Sequence, residues 1–207
     1  MASPGAYRVL IDPGHGGFDG GTTAHGVVEK DINLAISLPL RDIFRLFGFS
    51  VGMTRESDRA LDDAGDSVRS KKVQDMHNRL GLYEQAETVI SVHQNYFQQE
   101  KYSGTQVFYG GNQAESRLLA ECIRTSVKEG LQPSNDRQCK KATDGIYLLH
   151  HTQRVAVLVE CGFLSNPEEC RRLTECDYQR QMALSIFEGY LEYLDQKEDA
   201  TWQERLN

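Results

Sequence analysis

Tyr7-Arg8-Val9-Leu10-Ile11-Asp12-Pro13-Gly14-His15-Gly16-Gly17 is the stretch that decides the fold. An apolar, largely β-branched run that stops at Asp-Pro-Gly reads as a buried strand, Tyr7–Ile11, ending in a turn. In open α/β sheets ligands gather beyond the carboxyl ends of the strands, so His15 stands where a site belongs. Outward from there, strands and helices alternate. A helix is predicted over Glu29–Phe47, with Ile32, Ala35, Ile36, Leu40, Ile43, Phe44 and Phe47 near one face and with Pro39 as a kink or break. Strands follow at Phe49–Thr54, Thr88–Val92, Gly104–Tyr109 and Val155–Cys161. Helices follow at Val68–Ala86, Ala114–Gly130 (closed by its glycine) and Tyr178–Leu194. This alternation predicts an α/β single domain, with a mostly parallel twisted sheet and helices on both faces.

The chain has 207 residues, of which 39% are hydrophobic and 26% charged, enough for one domain with a substantial core. That domain is predicted to span residues 7–194, followed by a polar, frayed tail at 195–207. The opening residues 1–6 lack the apolar core of a signal peptide and are expected to be a trimmed start, the native export signal having been removed. No apolar stretch reaches the ~18–20 residues that span a bilayer. A net charge of −7 argues against nucleic acid as a partner, and Arg69-Ser70-Lys71-Lys72 reads as a solvated helix face. The five cysteines contain no CxxC pair. Cys161 reads as a small buried hydrophobe, and the disulfide state of Cys170 and Cys176 stays open. The long polar segments Asp58–Val68 and Ser134–Gly145 are where partner or substrate contacts are expected.

Four side chains carry the chemistry. Singly, each has an ordinary reading: His15 as a loop residue, Glu29 as an acid complementing a helix dipole, His93 as a core histidine. Glu160 is harder to explain, because it interrupts Val155-Ala156-Val157-Leu158-Val159 with a charge. A buried, unpaired carboxylate costs several kcal/mol, roughly, and therefore needs a cation, a proton or a catalytic task. Together the four supply three metal ligands and a free carboxylate, the parts of a zinc hydrolase. His25 is a rival ligand. A zinc site needs no serine or cysteine nucleophile, and no G-x-S-x-G elbow is present.

These segments, in order, resemble the zinc-dependent N-acetylmuramoyl-L-alanine amidases of bacterial cell walls (the amidase-3 family), from about Tyr7 to Leu194. The motifs are Asp12–Gly17, Glu29-Lys30-Asp31 with Asn33-Leu34, Thr54-Arg55 with Asp58, Ser91-Val92-His93-Gln94-Asn95, and Glu160-Cys161-Gly162-Phe163-Leu164-Ser165-Asn166. The resemblance implies that His15, Glu29 and His93 hold Zn2+ and that Glu160 is the general base and then the acid. The bond cut is the amide between the lactyl group of N-acetylmuramic acid and L-alanine. Asn95 and Asn166 are candidate substrate contacts, with turn residues as the other reading. Arg69–Lys72 through Asp75 and Arg79, Gln106–Tyr109 and Tyr147-Leu148-Leu149 are similar to the germination-specific (CwlD-type) amidases of endospore formers, which act in muramic-δ-lactam formation in the spore cortex. Pro39 and the His150-His151 pair are departures from that pattern. The resemblance implies an extracytoplasmic location, a peptidoglycan glycan strand with its stem peptide as partner, and an open groove to receive it.

Two rival functions share much of this sequence: a zinc peptidase cutting within the stem peptide, and an inactive cell-wall binding module. Three protein ligands among glycine-rich loops also raise the expectation of an accessory protein that promotes zinc or substrate binding, with Asp58–Val68 as a docking surface.

Overall fold

The computed structural model describes residues 6–62 and 65–206. Strand β1 (Tyr7–Pro13) carries Val9, Leu10 and Ile11 with no exposed surface, as an apolar run covered on both faces should. It pairs in parallel with β4 (Val51–Met53) and with β5 (Ala86–Asn95). β5 pairs in parallel with β8 (Val155–Phe163). Beyond β8 the direction reverses: β6 (Gln106–Tyr109) is antiparallel to β8 and is followed by β7 (Lys140–Lys141). The six-stranded sheet has the order β4-β1-β5-β8-β6-β7, and a small separate hairpin joins β2 (Thr23–Ala24) to β3 (Val27–Val28).

Period-two alternation sends the odd-numbered residues of β1 and their registered partners on β5 and β8 to one side of the sheet and the even-numbered ones to the other. Val9, Ile11, Ile90, Val92, Val157 and Val159 face the layer made by α1 (Glu29–Leu46), α3 (Glu115–Gly130), α5 (Pro167–Leu173) and α6 (Cys176–Leu206). Leu10, Val89, Ala156 and Leu158 face α2 (Val68–Tyr83) and α4 (Tyr147–His151), packing against Tyr83, Leu148 and Leu149. In the larger core Phe44 meets Phe187 and Tyr190 edge-on, each at 5.0 Å between ring centroids. Each such side chain removed from water contributes about 1.5–3 kcal/mol.

Several expectations need correction. Pro39 does not break the first helix: α1 is continuous, because Ile36, Leu40 and Phe44 bury one face on both sides of the proline. Gly130 does not close α3 in a left-handed turn; it lies in the last helical turn and Leu131 follows as the cap. The tail from Asp195 is not frayed at once. Gln, Lys, Glu and Ala continue α6 as good helix formers with no Gly or Pro to stop them. Cys170 is buried and Cys176 exposed, and both are free thiols. The opening residues 1–5 lie outside the described residues. Among the described residues no helix is long and apolar enough to cross a membrane.

Candidate metal centre

The sheet register assembles the site before any side chain is considered. His93 on β5 lies opposite Glu160 on β8, and Glu160 lies opposite Gln106 on β6. Registered neighbours project from the same face, so the three form a row across the carboxyl ends of β5 and β8. β1 extends that row through Gly14, whose N–H donates to the Val92 carbonyl at 3.0 Å. A Cβ at Gly14 would stand 2.1 Å from His93 Nε2, so only glycine lets the imidazole occupy this place.

The chain then turns through His15, whose φ of 61° is left-handed. Such backbone is costly for a residue with a Cβ and persists only when its surroundings enforce it. Two buried guanidiniums do so here. Arg55 donates to the carbonyls of Pro13 and Gly14, both at 3.0 Å, and Arg79 donates to those of Pro13 at 3.1 Å and His15 at 2.6 Å. Arg79 is itself held by the buried carboxylate of Asp12, which also accepts from Thr54 Oγ1 (2.6 Å), Tyr83 (2.6 Å) and Ser91 (2.9 Å). Burial opposes the charge on Asp12, but Arg79 and the hydroxyl donors outweigh it and hold its carboxyl well below the usual range.

Glu29 reaches the same point from the first turn of α1. The β2–β3 hairpin delivers the chain to it, and Thr22 N–H donates to its Oε2 at 2.8 Å. Its Oε1 lies 2.9 Å from His93 Nδ1 and 3.3 Å from His15 Nε2. The ligand atoms of His15, Glu29 and His93 all fall within 4.8 Å of one another. The Gln94 N–H and the Asn33 amide orient this carboxylate from behind. His25, the rival ligand, sits at the hairpin tip with its Nε2 against the Ser165 carbonyl at 3.3 Å, away from this group.

Asp19 was not singled out by sequence. Its Oδ2 lies 2.9 Å from His15 Nδ1, which fixes the proton there and leaves Nε2 facing Glu29 and His93. Lys72 in turn reaches Asp19 at 2.8 Å, so the basic cluster of α2 is tied to the site and is not merely solvated. Asp19 has no periodic signal; only the folded loop brings it beside His15. Burial works against a charge on His15, yet its bonds to Asp19 and Glu29 raise its pKa to about 9. The surroundings thus favour positive charge at this spot.

Glu160 points into the same space, and its Oε2 is buried with no hydrogen-bond partner among the described residues. Burial, with Glu29 nearby, raises its pKa to about 7 against the opposing pull of the histidines. A carboxyl poised there can take up or give back a proton near neutral pH. An orphaned acid beside two imidazoles and a second carboxylate fits a divalent cation: the donor set suits zinc, and three protein ligands leave a position open.

The two asparagines part ways. Asn95 ends β5 and lines a cleft of about 280 Å³ with Phe97, Tyr102, Gln106, Phe108, Arg137, Lys140 and Phe163. Asn166 caps α5: its Oδ1 accepts from Glu169 N–H at 3.0 Å and its Nδ2 donates to the Glu100 carbonyl at 2.8 Å, so both ends of the amide are committed. A second cleft, about 170 Å³, lies on the α2 side of the centre and includes His15, His93, Phe18, Met76 and Arg79. Asp58 lies on the loop expected to dock a partner, but it is tied inward, accepting from Gly17 N–H at 2.8 Å and from Lys30 at 2.7 Å.

Comparison with known proteins shows the family to which the chain belongs. The N-acetylmuramoyl-L-alanine amidase family profile matches residues 9–192. The germination-specific N-acetylmuramoyl-L-alanine amidase of Bacillus subtilis (strain 168) is 38% identical over 194 residues, covering 92% of this chain and 81% of that protein. Among solved structures, the CwlD amidase from Clostridioides difficile, in complex with the GerS lipoprotein, superposes with a TM-score of 0.88 at 38% identity, covering 91% of this chain and 98% of that one. An N-acetylmuramoyl-L-alanine amidase from Clostridium difficile 630 gives 0.79 at 28% identity, covering 92% and 98%. The chain belongs to the N-acetylmuramoyl-L-alanine amidase family and is similar to its germination-specific, CwlD-type members.

Proposed function

We propose that this chain is a zinc-dependent amidase that hydrolyses the bond between the lactyl group of N-acetylmuramic acid and L-alanine in peptidoglycan. His15, Glu29 and His93 would hold the ion, and Glu160 would serve as general base and then general acid. The observation that carries the reading is the unpartnered, buried oxygen of Glu160, one strand from His93 and facing the ligand cluster. When bound, zinc supplies Lewis acidity that acidifies water and polarises an amide carbonyl. The protein's part is positional. Asp19 engages the Nδ1 of His15 and so aims its Nε2 inward, and Asn33 and the Gln94 backbone hold Glu29. Glu160 accepts a proton from the attacking water and returns it to the departing nitrogen of L-alanine. Asn95, which lines the neighbouring cleft, would orient substrate.

Similarity to a germination-specific enzyme supports a role in forming muramic-δ-lactam in the spore cortex, outside the cytoplasm. The lipoprotein bound to the C. difficile relative supports an accessory partner here as well, one that promotes zinc or substrate binding. A binding module has no use for an orphaned carboxylate beside a complete ligand set, so the inactive reading is disfavoured. Mass analysis of digested peptidoglycan tests the reaction. Stem peptides with a free L-alanine amine, together with unsubstituted muramic acid, are expected; cleavage only within the stem would mean a peptidase.

A further inference from the structure

The cleft beyond Glu160 is chemically unlike the rest of this acidic chain. Phe108 lies opposite Lys140 on β7 and opposite Leu158 on β8, so Lys140, Phe108 and Gln106 share the sheet face that bears Glu160 and His93. Gln106 is the registered neighbour of Glu160 and belongs to the cleft wall, which makes the cleft continuous with the row of site residues. Arg137 lies across the aromatic floor, its guanidinium 4.5 Å from the Phe163 ring centre and 5.9 Å from that of Tyr102. Its Nε is spent on the Ser103 carbonyl at 2.7 Å, which fixes the plane of the fork while its two terminal nitrogens remain available. Lys140 forms no ion pair with a described residue, and Lys101 sits over the outer face of Tyr102 at 5.5 Å. Among the described residues lining the cleft there is no carboxylate. The buried carboxylate of Glu169 acts on Arg137 from behind the cleft, but it does not line it. In a protein of net charge −7, two cations on the wall of a carboxylate-free cleft favour an anionic ligand.

Resting on the reading of the site as one that acts on stem peptides, we infer that this cleft binds a free carboxylate of the stem peptide. Arg137 would engage it through its fork and Lys140 as a point charge, while Phe163 and Tyr102 support the flat peptide groups. Arg137 and Lys140 are then specificity-determining residues, which favour stems carrying a free carboxylate close to L-alanine over stems in which that group is amidated. A neutral sugar ring on the same aromatics would gain nothing from either charge.

The test uses the whole protein and two synthetic peptides that carry no muramyl amide to cut: L-Ala-γ-D-Glu-L-Lys and the same peptide with the glutamyl α-carboxylate converted to a carboxamide. Calorimetric titration is expected to show the carboxylate peptide binding about tenfold tighter, the size that charge-assisted hydrogen bonds supply. Lys140→Gln, an exposed change that leaves the fold intact, and Arg137→Gln should each reduce that preference severalfold. Equal binding of the two peptides by the wild type, no binding of either, or a preference that survives in both variants would overturn the inference. None of these results depends on hydrolysis, so they are separable from the peptidoglycan digest that tests the amidase reading.

Discussion

At Asp12 one buried carboxylate holds together Arg79, Thr54, Tyr83 and Ser91, and through Arg79 it fixes the backbone of His15. Its folded-state pKa lies below the unfolded value of about 3.9. Its contribution to stability is therefore complete above about pH 4 and is lost as the pH falls below that. Thermal unfolding midpoints should fall steeply with acid in the wild type and more shallowly in Asp12→Asn. That variant should also lose about 3–5 kcal/mol at neutral pH, because it leaves Arg79 buried without its counter-charge. Asp19 makes a different prediction. Asp19→Asn should fold normally but bind zinc about 10–100-fold more weakly, as measured by competition with a chelating dye, because the orienting carboxylate on His15 is gone. His15, Glu29, His93 and Glu160 stood out in sequence because His15, His93 and Glu160 end or interrupt apolar runs and Glu29 opens a helix after a Gly/Thr-rich loop, and the fold brings the first three together. Asp19 and Lys72 were not, since side chains that act through another residue leave no periodic mark. Asn166 was read as a turn residue or a substrate contact, and its capping bonds favour the former.

At the level of elements, apolar runs and amphipathic spacing announced β1, β5, β8, α1, α3 and α6, with bounds shifted by a few residues except at the end of α6, which runs on to Leu206. The direction of β6 was not legible. Four alternating residues specify a face but not whether the strand runs with or against its neighbour, and the antiparallel pairing with β8 depends on the loop that precedes it. The two-residue strands and the short helices α4 and α5 are too brief for any period to register. The contact between the end of β1 and β5 offers the sharpest test at this scale. Gly14→Ala places a methyl group within the His93 ring, so the imidazole must swing away. The variant should keep its circular dichroism spectrum and lose metal binding. Asn166→Ala should lose about 0.5–2 kcal/mol of stability in denaturant titration, the ordinary worth of a helix cap.

Across the whole molecule, the function is concentrated at one end of the sheet. Three separate segments, the β1 turn, the start of α1 and the end of β5, each bring one side chain of the candidate ligand set, and β8 brings Glu160 beside them. No local unit could form this centre alone, so its assembly reports the fold, and folding in turn sets the affinity for the ion. The most direct measurement is elemental analysis after equilibration with zinc and removal of free metal, on the wild type, His93→Ala and Glu160→Ala. The account predicts about one zinc per chain in the wild type and in Glu160→Ala, with only Glu160→Ala of these two unable to cut peptidoglycan, and little or none in His93→Ala. Full zinc in His93→Ala, or undiminished turnover in Glu160→Ala, would contradict it.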